Sequence, residues 1–312
     1  MKGNVCMNTE LEQIVTEVGK VVKGKDRVIR KVLAAVLAGG HVLLEDIPGV
    51  GKTTLAMALG KSMELEYKRM QFTPDVLPSD IVGFTMYNSG TGEFEYKQGA
   101  VFCNLFLADE LNRTSSKTQS ALLEVMEEAK VTVDGVAHPL PKPFTVIATE
   151  NPFGSSGTQL LPESQLDRFL ICLSMGYPSH EAAVDILKNS AGEGLGLVQS
   201  VITVERLMEL KKEAETLHVE DNIYEYLVQL TEATRQDPRI ALGVSPRGGI
   251  ALLKMARAMA LLRGGEYVVP EDVLSVIDDV WRHRIHLNAK ARAEGMDVSD
   301  IIAEITERIH AV

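Results

Sequence analysis

The sequence predicts an α/β domain built on a parallel sheet, followed by an all-helical domain, and three observations predict it. Strand-like segments bounded by turn residues recur through the first half, at His41–Glu45, Tyr67–Phe72, Leu105–Asp109, Phe144–Thr149 and Phe169–Ser174. Helical patterns, notably Lys52–Met63 and Ser116–Ala129, lie between several of them, and strands alternating with helices call for a parallel sheet covered on both faces. After Tyr177-Pro178 the periodic segments become almost wholly helical: Glu181–Lys188, Val204–Thr216, Asp221–Gln236, Pro246–Leu262, Pro270–Leu287 and Val298–His310. The expected domains are therefore residues 1–178 and 179–312.

A chain of 312 residues exceeds the usual single-domain size, and 45% hydrophobic with 24% charged residues is the composition of a globular protein with a sizeable core. The longest apolar runs, such as Val32–Ala38 and Ala256–Leu262, are too short to span a bilayer. The N-terminal MKGNVCMNTELEQ has polar residues where a signal peptide needs an apolar core, so a cytoplasmic chain without membrane insertion is expected. Cys6, Cys103 and Cys172 are odd in number, widely separated and without CxxC spacing, which signals neither disulfides nor zinc. Cys103 and Cys172, inside apolar segments, are expected to be small buried hydrophobes. A net charge of −11 repels nucleic acid at long range and argues against it as a partner.

The first strand runs into LLEDIPGVGKTT (Leu43–Thr54), which matches G-x-x-x-x-G-K-[ST] except that Asp46 replaces the first glycine. Gly49 and Gly51 let the backbone curl so that N–H groups face phosphate oxygens, Lys52 adds positive charge, and Thr53 offers a hydroxyl to Mg²⁺ at a helix N-terminus. Asp46 leaves the strand at the outer edge of the loop, where its carboxylate could accept a backbone N–H in an Asx-type turn; the alternative is that it repels a triphosphate. Two insertions then interrupt the α/β pattern. Phe84–Tyr87 and Phe94–Tyr96 around Asn88–Gly92 read as one hairpin, and Lys130–Val133 and Val136–Leu140 around Asp134-Gly135 as another.

The apolar strand at Leu105 ends in Asp109-Glu110. Asp109 can hold Mg²⁺ through its water and Glu110 can deprotonate an attacking water, although two acids could also be only a solvated strand end. The strand Phe144–Thr149 ends in Glu150-Asn151-Pro152, where the Asn151 amide could hold that water against a γ-phosphate or simply make an Asn-Pro turn. Arg168, in LDRF (Leu166–Phe169), suits either a surface ion pair or a transferring phosphoryl group supplied in trans. Arg247 lies in the first turn of a helix, where a cation opposes the dipole and calls for an anionic partner.

In this order the pieces resemble the AAA+ ATPases, and among them the MoxR family. The matching stretches are AGGHVLL (Ala38–Leu44), FTPDVLPSD (Phe72–Asp80), ADELNR (Ala108–Arg113), KTQSALLE (Lys117–Glu124), ATENP (Ala148–Pro152), LPESQLDRF (Leu161–Phe169), GVSPR (Gly243–Arg247) and HRI (His283–Ile285), which cover nearly the whole chain. The resemblance implies a sheet of order 5-1-4-3-2 with a helical lid, a helix-2 insert near residues 84–96 and a pre-sensor-1 hairpin near 130–140. It implies that Pro48, Gly49, Val50, Gly51, Lys52, Thr53 and Thr54 bind ATP as Walker A and that Thr53 and Asp109 hold Mg²⁺. Glu110 completes Walker B, Asn151 is sensor 1, Arg168 the arginine finger and Arg247 sensor 2, while adenine packs against Val21, Val22 and Gly24.

The resemblance further implies a homo-oligomeric ring, a hexamer, and either a chaperone-like remodelling of partners, which commonly carry a von Willebrand A domain, or a part in metal-cofactor or complex assembly on them. Rival readings are a chelatase motor subunit, a helicase or transcription-activating AAA+ protein, and a non-hydrolysing nucleotide-dependent scaffold. Glu110, Asn151 and Arg168 discriminate against the last, since a binding module needs no base, water-positioning amide or finger. The chain departs from the family at Thr114-Ser115-Ser116, which replaces Ala-Pro-Pro; Ser116 is expected to cap the next helix.

Overall fold

The computed structural model describes residues 8–47, 49–151, 161–188 and 194–311. The first half contains α1 (Thr9–Gly19), α2 (Asp26–Leu37), β1 (Val42–Glu45), α3 (Lys52–Ser62), β2 (Tyr67–Gln71), α4 (Pro78–Val82), β3 (Gly83–Asn88) and β4 (Glu93–Gln98). It continues through β5 (Leu105–Asp109), α5 (Ser116–Glu128), β6 (Lys130–Val133), β7 (Val136–Pro139), β8 (Thr145–Glu150), α6 (Glu163–Leu166) and β9 (Ile171–Leu173). Five strands form a parallel sheet ordered β2-β5-β8-β1-β9, which is 5-1-4-3-2 when the sheet strands alone are counted. The three inner strands are almost continuously apolar because helices cover both faces. Their side chains alternate: Leu44, Leu107 and Ile147 pack towards α1, α2 and α3, while Leu43, Phe106, Val146 and Ala148 pack towards α5.

Two antiparallel hairpins stand out from this sheet. The first pairs β3 with β4 from Gly83↔Gln98 to Asn88↔Glu93. The second closes at Val133↔Val136 through Asp134 and Gly135, both at positive φ, the backbone that a two-residue hairpin turn requires. Tyr96 and His138 stack with ring centroids 3.9 Å apart and tie one hairpin to the other. Ser115, not Ser116, caps α5: its hydroxyl accepts from the Thr118 N–H at 3.3 Å, because Ser115 is the residue still in extended backbone.

The second half contains α7 (His180–Lys188), α8 (Val204–Thr216), α9 (Asp221–Gln236), α10 (Pro246–Leu262), α11 (Pro270–Leu274), α12 (Ile277–Trp281), α13 (Ala289–Ala293) and α14 (Val298–Arg308). It is not wholly helical, since β10 (Ile240–Leu242) and β11 (His286–Leu287) pair antiparallel. The stretch Pro270–Leu287, expected as one helix, is two short helices and a strand. Its core is continuous with one side of the sheet through α1 and α2, helices that the apolar pattern did not single out. Lys211 reaches across to donate 2.9 Å to the Val36 carbonyl at the end of α2, and Lys31 on α2 forms a buried ion pair with Asp279 on α12. Cys103 and Cys172 are free and buried, as expected; Cys6 lies outside the described residues. Among the described residues no helix is long and apolar enough to cross a membrane.

Candidate active site

The loop after β1 owes its shape to backbone dihedrals. Gly49 and Gly51 have φ of +85° and +96°, and an added Cβ would meet nothing within 4 Å at Gly49, so the left-handed conformation rather than crowding demands glycine there. Lys52 opens α3, is buried, and donates 2.8 Å to the Asp46 carbonyl. Burial lowers its pKa, and the charges of Asp46, Asp109 and Glu110 oppose that shift, so the ends of β1 and β5 converge on this ammonium. Thr53, Thr54 and Val50 are half-buried beside it; Pro48 lies outside the described residues.

Asp46 is not in an Asx-type turn within its own loop. It is 7% exposed, and its carboxylate accepts from the Ser174 hydroxyl at 3.1 Å, the Gly176 N–H at 3.2 Å and the Met175 N–H. The backbone leaving β9 passes close enough to offer two adjacent amides, which satisfy a buried carboxylate better than one local amide. The carboxylate is thus bonded by the exit of β9 and not by its own loop, while its charge still favours the Lys52 ammonium. The same strand exit brings α7 against the α1–α2 loop, where the half-buried Val21 and the buried Val22 lie next to Gly24, at φ +67°; a Cβ on Gly24 would sit 3.4 Å from Ala182.

At the end of β5, Asp109 Oδ1 accepts from the Thr149 hydroxyl at 2.7 Å, and Asp109 Oδ2 from Arg69 at 2.7 Å. Glu110 adopts φ 56°, ψ 50°, and its backbone N–H donates 2.8 Å to the same Thr149 hydroxyl. The Glu110 carboxylate accepts from Gln71 at 2.8 Å and Arg113 at 2.6 Å. None of these partners was predicted. Thr149 was in view, inside ATENP, and Arg69 and Gln71 alternate along β2 and so share a face, a signal that becomes readable only once β2 is known to lie beside β5. Asn151 is half-buried, directly after β8, and its carbonyl accepts from Asn112 at 3.2 Å.

Whether Mg²⁺ suits these residues follows from the donor chemistry. Among the described residues no three His, Cys, Asp or Glu side chains cluster as a metal cage. One carboxylate, Asp109, and one hydroxyl, Thr53, are what an ion that keeps several waters and takes its other ligands from phosphates requires, so the residues fit.

Arg168 and Arg247 lie elsewhere. Leu170 N–H donates 2.8 Å to the His41 carbonyl, which puts the start of β9 beside the start of β1, whereas the phosphate loop leaves the far end of β1. Arg168 therefore sits at the opposite end of the sheet from Lys52. There Glu127 takes both arginines, Arg168 at 3.5 Å and Arg247 at 3.4 Å, on the wall of a cavity of about 250 Å³ that Lys254 and Arg284 also line.

The description "ATPase family associated with various cellular activities (AAA)" fits residues 41–171, and "AAA lid domain" fits residues 232–305. Over 308 residues the chain is 37% identical to Chaperone MoxR1 of Mycobacterium tuberculosis, covering 96% of this chain and 81% of that one. The chain belongs to the MoxR family of AAA+ ATPases. It is also 47% identical over 300 residues to the uncharacterized protein YeaC of Bacillus subtilis, across 96% and 94% of the two chains. A crystal structure from Cytophaga hutchinsonii, whose ATPase assignment is provisional, superposes with a TM-score of 0.91 at 38% identity over 97% of this chain and 95% of that one. In this MoxR-family chain the glycine loop, β5 end and β8 end thus meet at the C-terminal ends of the sheet's strands, and the two arginines meet at the opposite end.

Proposed function

We propose that this chain hydrolyses ATP with Mg²⁺ at the subunit interfaces of a homohexameric ring and uses the turnover to remodel a partner protein. Residues 1–178 are the nucleotide-binding domain and 179–312 the lid in this reading. One observation supports it above the others: Arg168 and Arg247 sit at the end of the sheet away from Lys52, Asp109 and Glu110. An arginine there cannot serve its own phosphates, but in a ring it faces the nucleotide of the next subunit, and both sensor 2 and the finger then act in trans.

Within one site, the N–H groups of the loop through Gly49, Val50 and Gly51 and the Lys52 ammonium bind and orient the triphosphate, with Thr54 in the first turn of the helix behind them. Thr53 and Asp109 hold Mg²⁺, which when bound neutralises charge on the phosphate oxygens. Glu110 takes a proton from the attacking water at its carboxylate, and Asn151 keeps that water in line. Val22 and Gly24, with Val21, border adenine. Gln71 and Arg113 both hold Glu110 Oε2, which orients the carboxylate and leaves Oε1 as the oxygen to take the proton.

The family resemblance supports a partner with a von Willebrand A domain, and the exposed Phe84, Tyr87 and Phe94 of the first hairpin give it a surface to meet. Capture from lysate by the Glu110→Gln trap variant in ATP identifies the partner class. Steady-state ATPase assays test the chemistry: Glu110→Gln and Arg168→Ala should each lose about 10²-fold or more in turnover. Full turnover of either variant at every protein concentration would refute the assigned roles.

A further inference from the structure

The HRI motif has no part in the chemistry above, yet Arg284 is 7% exposed, an unusual place for a guanidinium. It comes from the lid but is spent on the core. Its Nε donates 2.7 Å to Asp167 Oδ1, its Nη2 donates to the carbonyls of Asp167 at 3.2 Å and Phe169 at 2.6 Å, and its Nη1 to the Leu170 carbonyl at 3.2 Å. These residues flank Arg168 on both sides. One further contact fixes Arg284 itself, Nη1 donating to the Val280 carbonyl one turn back, and His283 Nε2 lies 2.7 Å from Nη1 and 3.2 Å from the Phe169 carbonyl. Burial and the adjacent Arg284 hold the His283 pKa well below its ordinary value, so His283 stays neutral.

The same residue touches the helix that carries Arg247. A Cβ on Gly248 would stand 3.1 Å from Arg284 Cδ and 2.6 Å from Val244 Cγ1, and Trp281 Nε1 donates 3.1 Å to the Gly248 carbonyl. Glycine at position 248 leaves the space through which the Arg284 stem passes. Arg284 therefore joins the loop of Arg168, the first turn of α10 and the α12 end into one rigid unit. From this geometry we infer that Arg284 is a positioning residue for the arginine finger: it fixes the backbone on either side of Arg168, so that movement of the lid moves Arg168 and Arg247 together towards or away from the neighbouring subunit's nucleotide. The inference rests on the reading of Arg168 as a finger acting in trans. Lysine cannot replace Arg284, because one ammonium cannot bond the Asp167 carboxylate and three diverging carbonyls together.

The test is mixing subunits. Arg284→Lys alone should lose at least about 10-fold in kcat, with KM little changed, since its own phosphate loop is intact and only the finger is misplaced. Mixed with Glu110→Gln, whose own site is dead but whose finger is intact, Arg284→Lys should regain turnover, because its sites then receive a sound finger; a merely misfolded subunit would not. Arg168→Ala mixed with Glu110→Gln is the control for the trans reading. Full kcat of Arg284→Lys alone overturns the inference. So does restoration of Arg168→Ala but not of Arg284→Lys, which leaves the finger reading standing; restoration of neither overturns both. Should Arg284→Lys fail to fold, Asp167→Asn, which removes the carboxylate partner at a half-exposed position, carries the same expectation and the same outcomes.

Discussion

At the scale of single residues, the proposed site depends on how one buried hydroxyl is shared. Thr149 is fully buried; its proton goes to Asp109 Oδ1 and its lone pair takes the Glu110 N–H, so one group sets the rotamer of the first acid and the positive-φ backbone of the second. Thr149→Val keeps the shape and removes both bonds. Turnover should fall by about 10- to 100-fold, with about 1–3 kcal/mol lost in stability from the unpaired groups, and Thr149→Ser should restore most of both. Chemical denaturation beside ATPase kinetics checks this, and equal losses in the serine variant would count against it. The other Asp109 oxygen is held by Arg69, which is exposed on the edge strand β2, whereas Thr149 is fully buried. Arg69→Ala should therefore lower the Mg²⁺ concentration needed for half-maximal binding of a fluorescent ATP analogue. The effect is up to about five-fold, since an ion pair whose arginine is half exposed is worth on the order of 1 kcal/mol. An unchanged Mg²⁺ requirement would show that Arg69 does not compete for that oxygen.

At the scale of elements, β8 collects the buried titratable groups whose effects oppose one another. His41 donates from Nε2 to the Met126 carbonyl at 2.9 Å and accepts the Val146 N–H at its Nδ1 at 2.9 Å, and burial lowers its pKa from 6.5 to about 4. The unfolded chain binds the proton first, so the stability His41 contributes is present above pH 6.5 and is lost as pH falls through 4. Glu150, beside Glu45 in the register of β1 and β8, is raised from 4.5 to about 7, first by burial and then by Glu45. Here the folded chain holds the proton longer, so its contribution is present below pH 4.5 and is lost as pH rises through 7. In the native chain the two slopes partly cancel. Glu150→Gln should raise thermal stability at pH 8 by on the order of 3 kcal/mol and uncover a steeper acid loss below pH 6.5, read as the unfolding midpoint against pH. A variant with the native pH profile would show that Glu150 is ionised in the fold. None of this could be read in the sequence, where His41 and Glu150 were only polar residues at strand ends.

What was legible at this scale has a common physical basis. The inner strands were found because both faces are buried and their residues are continuously apolar, and the second hairpin because Asp134-Gly135 takes the two positive φ angles of a tight turn. The helices α1 and α2 were not singled out, since α2 is buried along much of its surface and its stripe merges into the apolar run Val32–Ala38. The charge partners of the site were hidden for another reason. Arg69, Gln71, Glu127 and Arg284 meet their partners only through the sheet order and the lid's docking, and no local spacing encodes either.

At the scale of the whole molecule, the question is whether lid and core are one unit. The buried ion pair of Lys31 on α2 with Asp279 on α12 bears on it directly. Burial lowers the Lys31 pKa and raises that of Asp279, each against the pull of its partner, so both ions are costly where they stand and are tolerable only together. Lys31→Met leaves Asp279 uncompensated and should cost about 3–5 kcal/mol, whereas Lys31→Met with Asp279→Leu should recover most of it because well-packed apolar groups avoid the desolvation penalty altogether. The apolar core is continuous across the same junction, through α1, α2, α8 and α10. Calorimetry should therefore show one transition that moves to lower temperature in Lys31→Met and returns in the double variant. A second, earlier transition in Lys31→Met, with the main one unmoved, would mean that the lid melts by itself. In that event Arg284 could not transmit lid motion to Arg168 through a rigid junction, and the mixed-subunit rescue of Arg284→Lys should fail with it.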